Sequence, residues 1–210
     1  MSLATRLAAV HRRLDALQHP FYQRWSEGTL TSGELADYAG QYRHAVVALA
    51  DASQAAAEAA PPELREGLQA HADEELAHVM VWEGFTNAVG GSVTANADGE
   101  TRECAQAWAG TAQRPFVLTL AALHAIESTQ PEIAKTKRSG LVERYGVEPG
   151  AGTAYFDLHA TRDVEHAAEA WTLLERFAGP DDEDAIVAET ERVLSGYLTL
   201  LDGVSHAETA

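Results

Sequence analysis

Three side chains that could bind a metal ion recur at helical spacing in the C-terminal third of the chain. The segment YFDLHATRDVEHA contains His159, Asp163 and His166, at positions i, i+4 and i+7 of a predicted helix. At roughly 100° per residue, these side chains fall within about 60° of one another on the helix surface. Two imidazoles and one carboxylate aimed at the same point indicate either a metal site or an ordinary polar stripe.

Two other predicted helices carry side chains of the same chemical types. In HADEELAHVMVWEGF, Glu75 and His78 form an E-x-x-H pair, and Glu74 lies four residues before the same histidine. Residues three or four apart project side by side on a helix, which suits one metal ion. In LHAIESTQPE, Glu127 interrupts an otherwise apolar helix, where a lone carboxylate is costly unless it is paired or bound to a cation.

Together these helices offer three carboxylates and three imidazoles. Each element alone has an ordinary explanation, because E-x-x-H pairs arise by chance in acidic helices and a core carboxylate can be satisfied by a tyrosine or an arginine. Mixed nitrogen and oxygen ligands without a thiolate suit iron or manganese better than structural zinc. Six ligands suit two ions that share a carboxylate, as in the dimetal sites of helical bundles. Iron in such a site would use dioxygen.

The composition limits the classes of protein to which the chain can belong. Its 210 residues, 46% of them apolar, predict a single domain over residues 1–210 with a short disordered tail at about 204–210. The net charge of −17, from 32 acidic and 15 basic residues, argues against binding to nucleic acid or an anionic membrane. The single cysteine, Cys104, excludes an intramolecular disulfide and favours a reducing compartment. Since no apolar run resembles a signal peptide or a membrane span, we expect a cytoplasmic protein.

The pattern of apolar residues predicts an all-α fold of seven or eight helices. Ala, Leu and Glu dominate, and Gly and Pro cluster at a few breaks. Thr31 and Glu34 are spaced as a capping box at the start of a long helix. The predicted helices cover about residues 3–18, 33–60, 62–87 and 102–109, then an apolar helix from 114 towards 131, and helices up to 145, around 155–167 and over 182–201, with a short helical turn at FYQRWSEG.

Four longer motifs resemble those of a known family. They are HPFYQRWSEGTLTSGELADYAGQY, DEELAHVMVWEGFTNAVGG, AALHAIESTQPEIAKTKRSGLVERYG and YFDLHATRDVEHA, of which the last two are the most specific. Over about residues 12–200 the chain resembles the haem-oxygenase-like diiron oxidases, and among them the family of the Chlamydia protein associating with death domains, related to the pyrroloquinoline-quinone synthase and thiaminase folds. The resemblance implies a haem-oxygenase-like helical bundle that holds two metal ions, Fe/Fe or Fe/Mn, and uses dioxygen as co-substrate.

The resemblance also assigns roles to individual residues. By motif, the family's metal ligands map to Glu75, His78, Glu127, His159, Asp163 and His166. More residues separate the first acidic pair from the following histidine in that family than in DEELAH, which leaves Glu74 and Glu75 as alternatives; the E-x-x-H geometry favours Glu75.

The closest family resembles a p-aminobenzoate synthase that consumes its own side chains. One tyrosine of the chain supplies the carbon skeleton and one lysine supplies the amino group; by motif these map to Tyr22 and Lys137. A buried lysine in this role acts as a neutral amine, so we expect its pKa to be lowered. A tyrosine that precedes the middle glutamate in that family is Ile126 here. An external reductant is implied, and a homodimer is allowed.

Three other functions are compatible with the sequence. A diiron oxidase or N-oxygenase of the same fold could act on an external small molecule, in which case product would not form without added substrate. A thiaminase-like hydrolase would use Cys104 as its nucleophile. A regulatory or interaction protein is the non-enzymatic alternative, although the acidic charge disfavours direct DNA binding.

Overall fold

Every regular element in the part of the chain that the structure describes is a helix. The computed structural model describes residues 1–109 and 114–206. The α-helices are α1 (Leu3–Arg13), α2 (Pro20–Glu27), α3 (Ser32–Ala59), α4 (Pro62–Ala88), α5 (Gly99–Trp108), α6 (Phe116–Glu127), α7 (Gln130–Glu143), α8 (Ala154–Phe177) and α9 (Glu183–His206). Short 3-10 turns lie at Ala16–Gln18 and Pro180–Asp182. The predicted all-α fold class is confirmed.

Local sequence signals account for several helix ends. At the start of α3, the Thr31 hydroxyl accepts a hydrogen bond from the Glu34 N–H (3.1 Å), and the Glu34 carboxylate accepts one from the Thr31 N–H (2.8 Å). This is the predicted capping box. Gly28 ends α2 in a left-handed conformation, with φ of 75°, that favours glycine. The Pro61–Pro62 pair separates α3 from α4, as the sequence indicated.

The structure differs from the predicted helices at both ends of the chain. The first helix ends at Arg13 rather than at residue 18, because the Asp15 side chain accepts a hydrogen bond from the Leu17 N–H and starts a 3-10 turn. The predicted turn at FYQRWSEG is a complete helix, α2, and the other eight α-helices of the described chain agree with the predicted seven or eight. At the other end α9 continues through His206, and residues 207–210 of the predicted tail lie outside the described residues.

Helix α6 lies at the centre of the bundle. It contacts α3, α8 and α9, while α3 packs along α4 and α7 packs along α8. Its buried residues include Glu127 at its C-terminal end. None of the described helices combines the length and the hydrophobicity needed to cross a membrane. Because α8 contacts both α4 and α6, the three helices that carry the predicted ligands meet in the interior.

Candidate metal centre

Helix α8 directs its three predicted ligands into the protein interior. His159 and Asp163 have no exposed surface, and His166 is only 4% exposed. The Nδ1 atom of His159 lies 2.9 Å from both carboxylate oxygens of Asp163, one turn further along the same face. This contact fixes the imidazole ring and leaves its Nε2 atom available to a ligand.

Helix α4 contributes Glu75 and His78 to the same space. Glu75 is completely buried, and its Oε2 atom lies 3.2 Å from Nδ1 of His78. The rings of His78 and His159 meet edge to face, with centroids 4.8 Å apart. The two helices therefore bring their imidazoles together at one end of the cluster.

Glu74 lies at the rim of this cluster rather than inside it. Its two carboxylate oxygens accept hydrogen bonds of 2.7 and 2.9 Å from the Arg162 guanidinium, and its side chain is 29% exposed. It approaches the outer nitrogen of His166 at 3.6 Å. This position favours Glu75 over Glu74 as a metal ligand, and it allows Glu74 to orient the imidazole from outside.

Helix α6 ends in the cluster, where it meets His71, a histidine that was not among the predicted ligands. Glu127 has no exposed surface, and its Oε1 atom lies 3.0 Å from Nε2 of His71 on α4. The His71 ring lies 3.9 Å from the ring of His166, centroid to centroid. The sequence carried a signal for this residue, because His71, Glu75 and His78 repeat the i, i+4, i+7 spacing of the α8 residues.

The polar atoms of the cluster fit a metal-binding role. His71 Nε2 and His78 Nδ1 lie within 3.2 Å of the Glu127 and Glu75 carboxylates. Even so, among the described residues eight buried polar atoms of the cluster make no well-aligned hydrogen bond: His71 Nε2, both carboxylate oxygens of Glu75, His78 Nδ1, both carboxylate oxygens of Glu127, His159 Nε2 and His166 Nδ1. An unsatisfied buried polar group costs roughly 1–3 kcal/mol, so such a concentration requires an explanation. Imidazoles and carboxylates without a thiolate are the donors that iron and manganese accept.

The potential ligand atoms fall into three overlapping groups. In each group, one atom per residue lies within 4.8 Å of the others; the groups are His71–Glu127–His166, Glu75–His78–His159 and Glu75–Asp163–His166. The structure thus brings all six predicted ligands together. Their assignment as ligands stays a prediction.

Burial and neighbouring charges shift the pKa values of the cluster in opposite directions. Burial raises the pKa of Glu127 to about 7, although the adjacent His71 opposes the rise. Burial lowers the pKa of His166 to about 4, which favours the neutral imidazole that binds metals. Burial also acts to raise the pKa of Glu75, but the neighbouring imidazoles lower it overall.

Lys137, the predicted amino donor, projects from α7 into a cage of aromatic rings. The residue is 1% exposed, and its Nζ atom lies 4.2 Å from the ring centre of Tyr42 and 5.5 Å from that of Tyr22. Three more ring centres, those of Tyr38, Trp82 and Phe156, lie 5.3–5.7 Å away. Burial lowers the pKa of Lys137 well below its usual value and favours the neutral amine, as predicted from the sequence.

Tyr22 lies in the same aromatic compartment but outside the candidate ligand cluster. Its buried hydroxyl forms hydrogen bonds with the hydroxyls of Tyr38 (2.8 Å) and Tyr197. Burial raises its pKa, which keeps the phenol protonated. Ring contacts lead from Tyr22 through Tyr38, Tyr42, Trp82 and Tyr155 to His159, and the last contact, between Tyr155 and His159, is 4.0 Å between centroids.

Cys104 does not have the environment of a nucleophile. It is completely buried in the main hydrophobic core, and burial raises the pKa of its thiol far above the usual range. A reactive cysteine needs a thiolate at accessible pH. The structure therefore disfavours the thiaminase-like alternative.

A cleft between α4 and α8 opens beside one end of the candidate ligand cluster. It has a volume of about 570 Å³, and its lining includes Leu64, Leu68 and Leu173 as well as His71 and His166. The end of the cluster formed by His71 and His166 therefore borders this cleft.

The family comparisons agree with this chemistry. Residues 36–197 match the model of a family described as iron-containing redox enzymes. The chain is 33% identical over 208 residues to a 4-aminobenzoate synthase from Nitrosomonas europaea. The alignment covers 90% of this chain and 85% of the relative. It is 32% identical over 189 residues to a 4-aminobenzoate synthase from Chlamydia pneumoniae, with 85% and 84% coverage.

Solved structures share the fold at low sequence identity. A TenA homologue from Pseudomonas syringae superposes with a TM-score of 0.84 at 15% identity, over 98% of this chain and 93% of that one. A domain with a haem-oxygenase-like fold from Shewanella denitrificans gives 0.80 at 17% identity, over 100% and 94%. These likenesses confirm the predicted fold. From the matched family and the similar synthases, the chain belongs to the iron-containing redox enzymes of haem-oxygenase-like fold, and it is a metal-dependent oxidoreductase.

Proposed function

We propose that the protein is an oxygen-dependent dimetal oxidase that converts its own Tyr22 into 4-aminobenzoate, with Lys137 as the source of the amino nitrogen. The similarity to 4-aminobenzoate synthases supports the product. The observation that carries the proposal is the pairing of the two residues: the Lys137 Nζ atom lies 5.5 Å from the Tyr22 ring centre, in a compartment closed to solvent.

The metal ions would be held by Glu75, His78, Glu127, His159, Asp163 and His166, as either Fe/Fe or Fe/Mn. Bound iron would supply oxidation by dioxygen, with electrons from an external reductant. The buried nitrogen and oxygen atoms of the cluster that make no well-aligned hydrogen bond support this assignment.

The aromatic compartment prepares both reacting side chains. The hydroxyls of Tyr38 and Tyr197 form hydrogen bonds with the Tyr22 hydroxyl and orient the phenol. Burial of Lys137 favours a free electron pair on Nζ, which carbon–nitrogen bond formation requires. The surrounding rings exclude water, which protects an oxidised tyrosine from side reactions. The row of ring contacts from His159 to Tyr22 supports electron transfer from Tyr22 to the proposed metal centre.

The test is a single-turnover reaction without added substrate. Protein labelled with carbon-13 in its tyrosine rings and nitrogen-15 in its lysine side chains is loaded anaerobically with ferrous iron, then given dioxygen and a reductant. Mass spectrometry should detect 4-aminobenzoate that carries both labels, at no more than about one molecule per chain.

Matched variants separate the proposed residues from their neighbours. Tyr22→Phe and Lys137→Met should abolish the labelled product. Tyr145→Phe removes a tyrosine hydroxyl outside the compartment, and Lys135→Met removes an exposed lysine on the same helix; both should retain product formation. Full yield from Tyr22→Phe would refute the proposal.

A second candidate function is oxidation of an external small molecule. The cleft of about 570 Å³ that opens onto His71 and His166 favours it, because its apolar walls could hold such a substrate beside the metal cluster. Many turnovers per chain with an added substrate, and no isotope from tyrosine in the product, would establish this function instead.

A further inference from the structure

Helices α4 and α8 present the same pattern of side chains to each other. His71, Glu75 and His78 on α4 have the spacing of His159, Asp163 and His166 on α8, and the two triplets run in opposite directions. His71 consequently faces His166, with ring centroids 3.9 Å apart, and His78 faces His159 at 4.8 Å. The paired triplets form two ends of one cluster, and Glu75 has oxygens near both ends.

Of the six side chains in these triplets, only His71 is not among the six proposed ligands. Its Nε2 atom is buried, lies 3.0 Å from Oε1 of Glu127 and 3.8 Å from Oε1 of Glu75, and makes no well-aligned hydrogen bond with either in the described part of the chain. The atoms of His71, Glu127 and His166 converge closely enough to hold one ion. Without His71, this end of the cluster would have a single imidazole, whereas the other end has two.

We propose that His71 is a metal ligand, so that one ion is bound by His71, Glu127 and His166 and exchanges with solvent ahead of the ion at His78 and His159. The inference rests on the proposed dimetal centre and adds a seventh ligand to it. The difference in exchange follows from the cleft, because its lining includes His71 and His166 but neither His78 nor His159. The His71 side chain is 10% exposed, whereas His159 is fully buried.

Stoichiometry with ferrous iron alone tests the ligand assignment. The full chain is loaded anaerobically with ferrous ion and freed of excess metal, and the bound iron is then counted. His71→Gln keeps a side chain that can hydrogen-bond to Glu127 but is a poor metal ligand. His71→Glu introduces a side chain of the same shape as glutamine, and its carboxylate can bind iron. We expect two ions per chain in the wild type, about one in His71→Gln and two in His71→Glu. His44→Gln, which replaces a half-buried imidazole on α3, is the control and should retain two.

Extraction by a colorimetric ferrous chelator tests the difference in exchange. We expect the wild type to release its iron in two phases at least about tenfold apart in rate, and His71→Gln to lack the fast phase. Ala168→Trp narrows the cleft without altering a ligand and should slow the fast phase while both ions are retained. Because Ala168→Trp leaves every proposed ligand unchanged, it tests the cleft as the route of iron release even if a His71 variant folds poorly.

The outcomes separate this inference from the proposed function. Two ions in His71→Gln, with the fast phase intact, would overturn the assignment and reduce His71 to a hydrogen-bonding neighbour of Glu127, while the dimetal oxidase would stand. A wild type that binds no iron would overturn both. Loss of one ion from His71→Gln and its return in His71→Glu would establish the ligand.

Discussion

Lys137 is a side chain whose ionisation the folded protein opposes. Because burial lowers its pKa, the unfolded chain binds a proton that the folded chain does not bind, between the folded pKa and the usual value of about 10.4. The free energy of unfolding therefore rises with pH across this window, by up to about 1.4 kcal/mol per pH unit. Stability is given up at this position to keep the amine neutral beside Tyr22.

We expect Lys137→Met to raise the free energy of unfolding and to remove this pH dependence, since methionine fills the space without an ionisable group. Urea unfolding of metal-free protein at about pH 7, 8 and 9 measures the effect, and the advantage of the variant over the wild type should shrink as the pH rises. An advantage that stays constant over this range would mean that the folded pKa of Lys137 is not lowered.

In the metal-free protein, Glu127 makes the free energy of unfolding fall as the pH rises, which is opposite to the effect of Lys137. Burial raises its pKa from 4.5 to about 7, which corresponds to roughly 3 kcal/mol between the neutral and ionised forms. The stability associated with the neutral carboxyl is present below the unfolded pKa and is lost as the pH rises through about 7.

Glu127→Gln should therefore be more stable than the wild type when both are metal-free near pH 8, by as much as ~3 kcal/mol. Ferrous ion should reverse the order, because it stabilises the chain that retains the carboxylate. Thermal unfolding with a chelator, and then with ferrous ion under anaerobic conditions, measures both halves. A metal-free variant less stable than the wild type would contradict the expected cost of the buried carboxylate.

At the scale of helices, the contact between α2 and α7 sets the position of Lys137. A Cβ atom at Gly140 would lie 2.6 Å from Cδ1 and 2.7 Å from Nε1 of Trp25. Trp25 is fully buried, and its Nε1–H donates a hydrogen bond of 3.0 Å to the Lys137 carbonyl. Any increase in the distance between these helices would move the lysine relative to Tyr22.

We expect Gly140→Ala to destabilise the fold by roughly 1–3 kcal/mol and to lower the yield of 4-aminobenzoate, because α7 must move away from Trp25. Gly67→Ala is the matched control: it lies within α4, and an added Cβ meets nothing within 4 Å. That variant should gain roughly 0.5–1 kcal/mol from helix propensity. Urea unfolding measures both, and equal effects would contradict the close packing at Gly140.

At the scale of the whole molecule, repulsion among acidic residues opposes the compact state. The net charge is −17, and much of it lies on the surface, where the ion pairs of arginine, such as Arg162 with Glu74 and Glu165, compensate only part of it. Exposed ion pairs contribute little individually. Screening should therefore reduce the repulsion more than it weakens the pairs.

Raising sodium chloride from about 0.02 M to about 0.5 M should increase the free energy of unfolding of the metal-free protein, because the Debye length falls from roughly 20 Å to about 4 Å. Urea unfolding at both salt concentrations measures the change. A decrease in stability would mean that the surface ion pairs outweigh the repulsion. In that case, Arg162→Gln should reduce the free energy of unfolding more at low salt than at high salt.

The sequence by itself determined the helical class and the residues that share a helix face. His159, Asp163 and His166 lie on one face because their spacing follows the 3.6-residue period, and the Thr31–Glu34 cap depends only on residues three apart. These are local properties, which the chain expresses without reference to distant segments. The shared motifs also indicated the family before any helix was positioned.

Only the tertiary structure decided which of these side chains meet and in what environment. It put Glu75 inside the cluster and Glu74 at its rim, although the two are adjacent in sequence. It brought His71 against Glu127, and Lys137 against Tyr22, pairs separated by 56 and 115 positions in the chain. Such contacts depend on how α2 packs on α7 and how α4, α6 and α7 pack on α8. Burial and charge, and therefore the shifted pKa values, arise from packing between distant segments that no local spacing encodes.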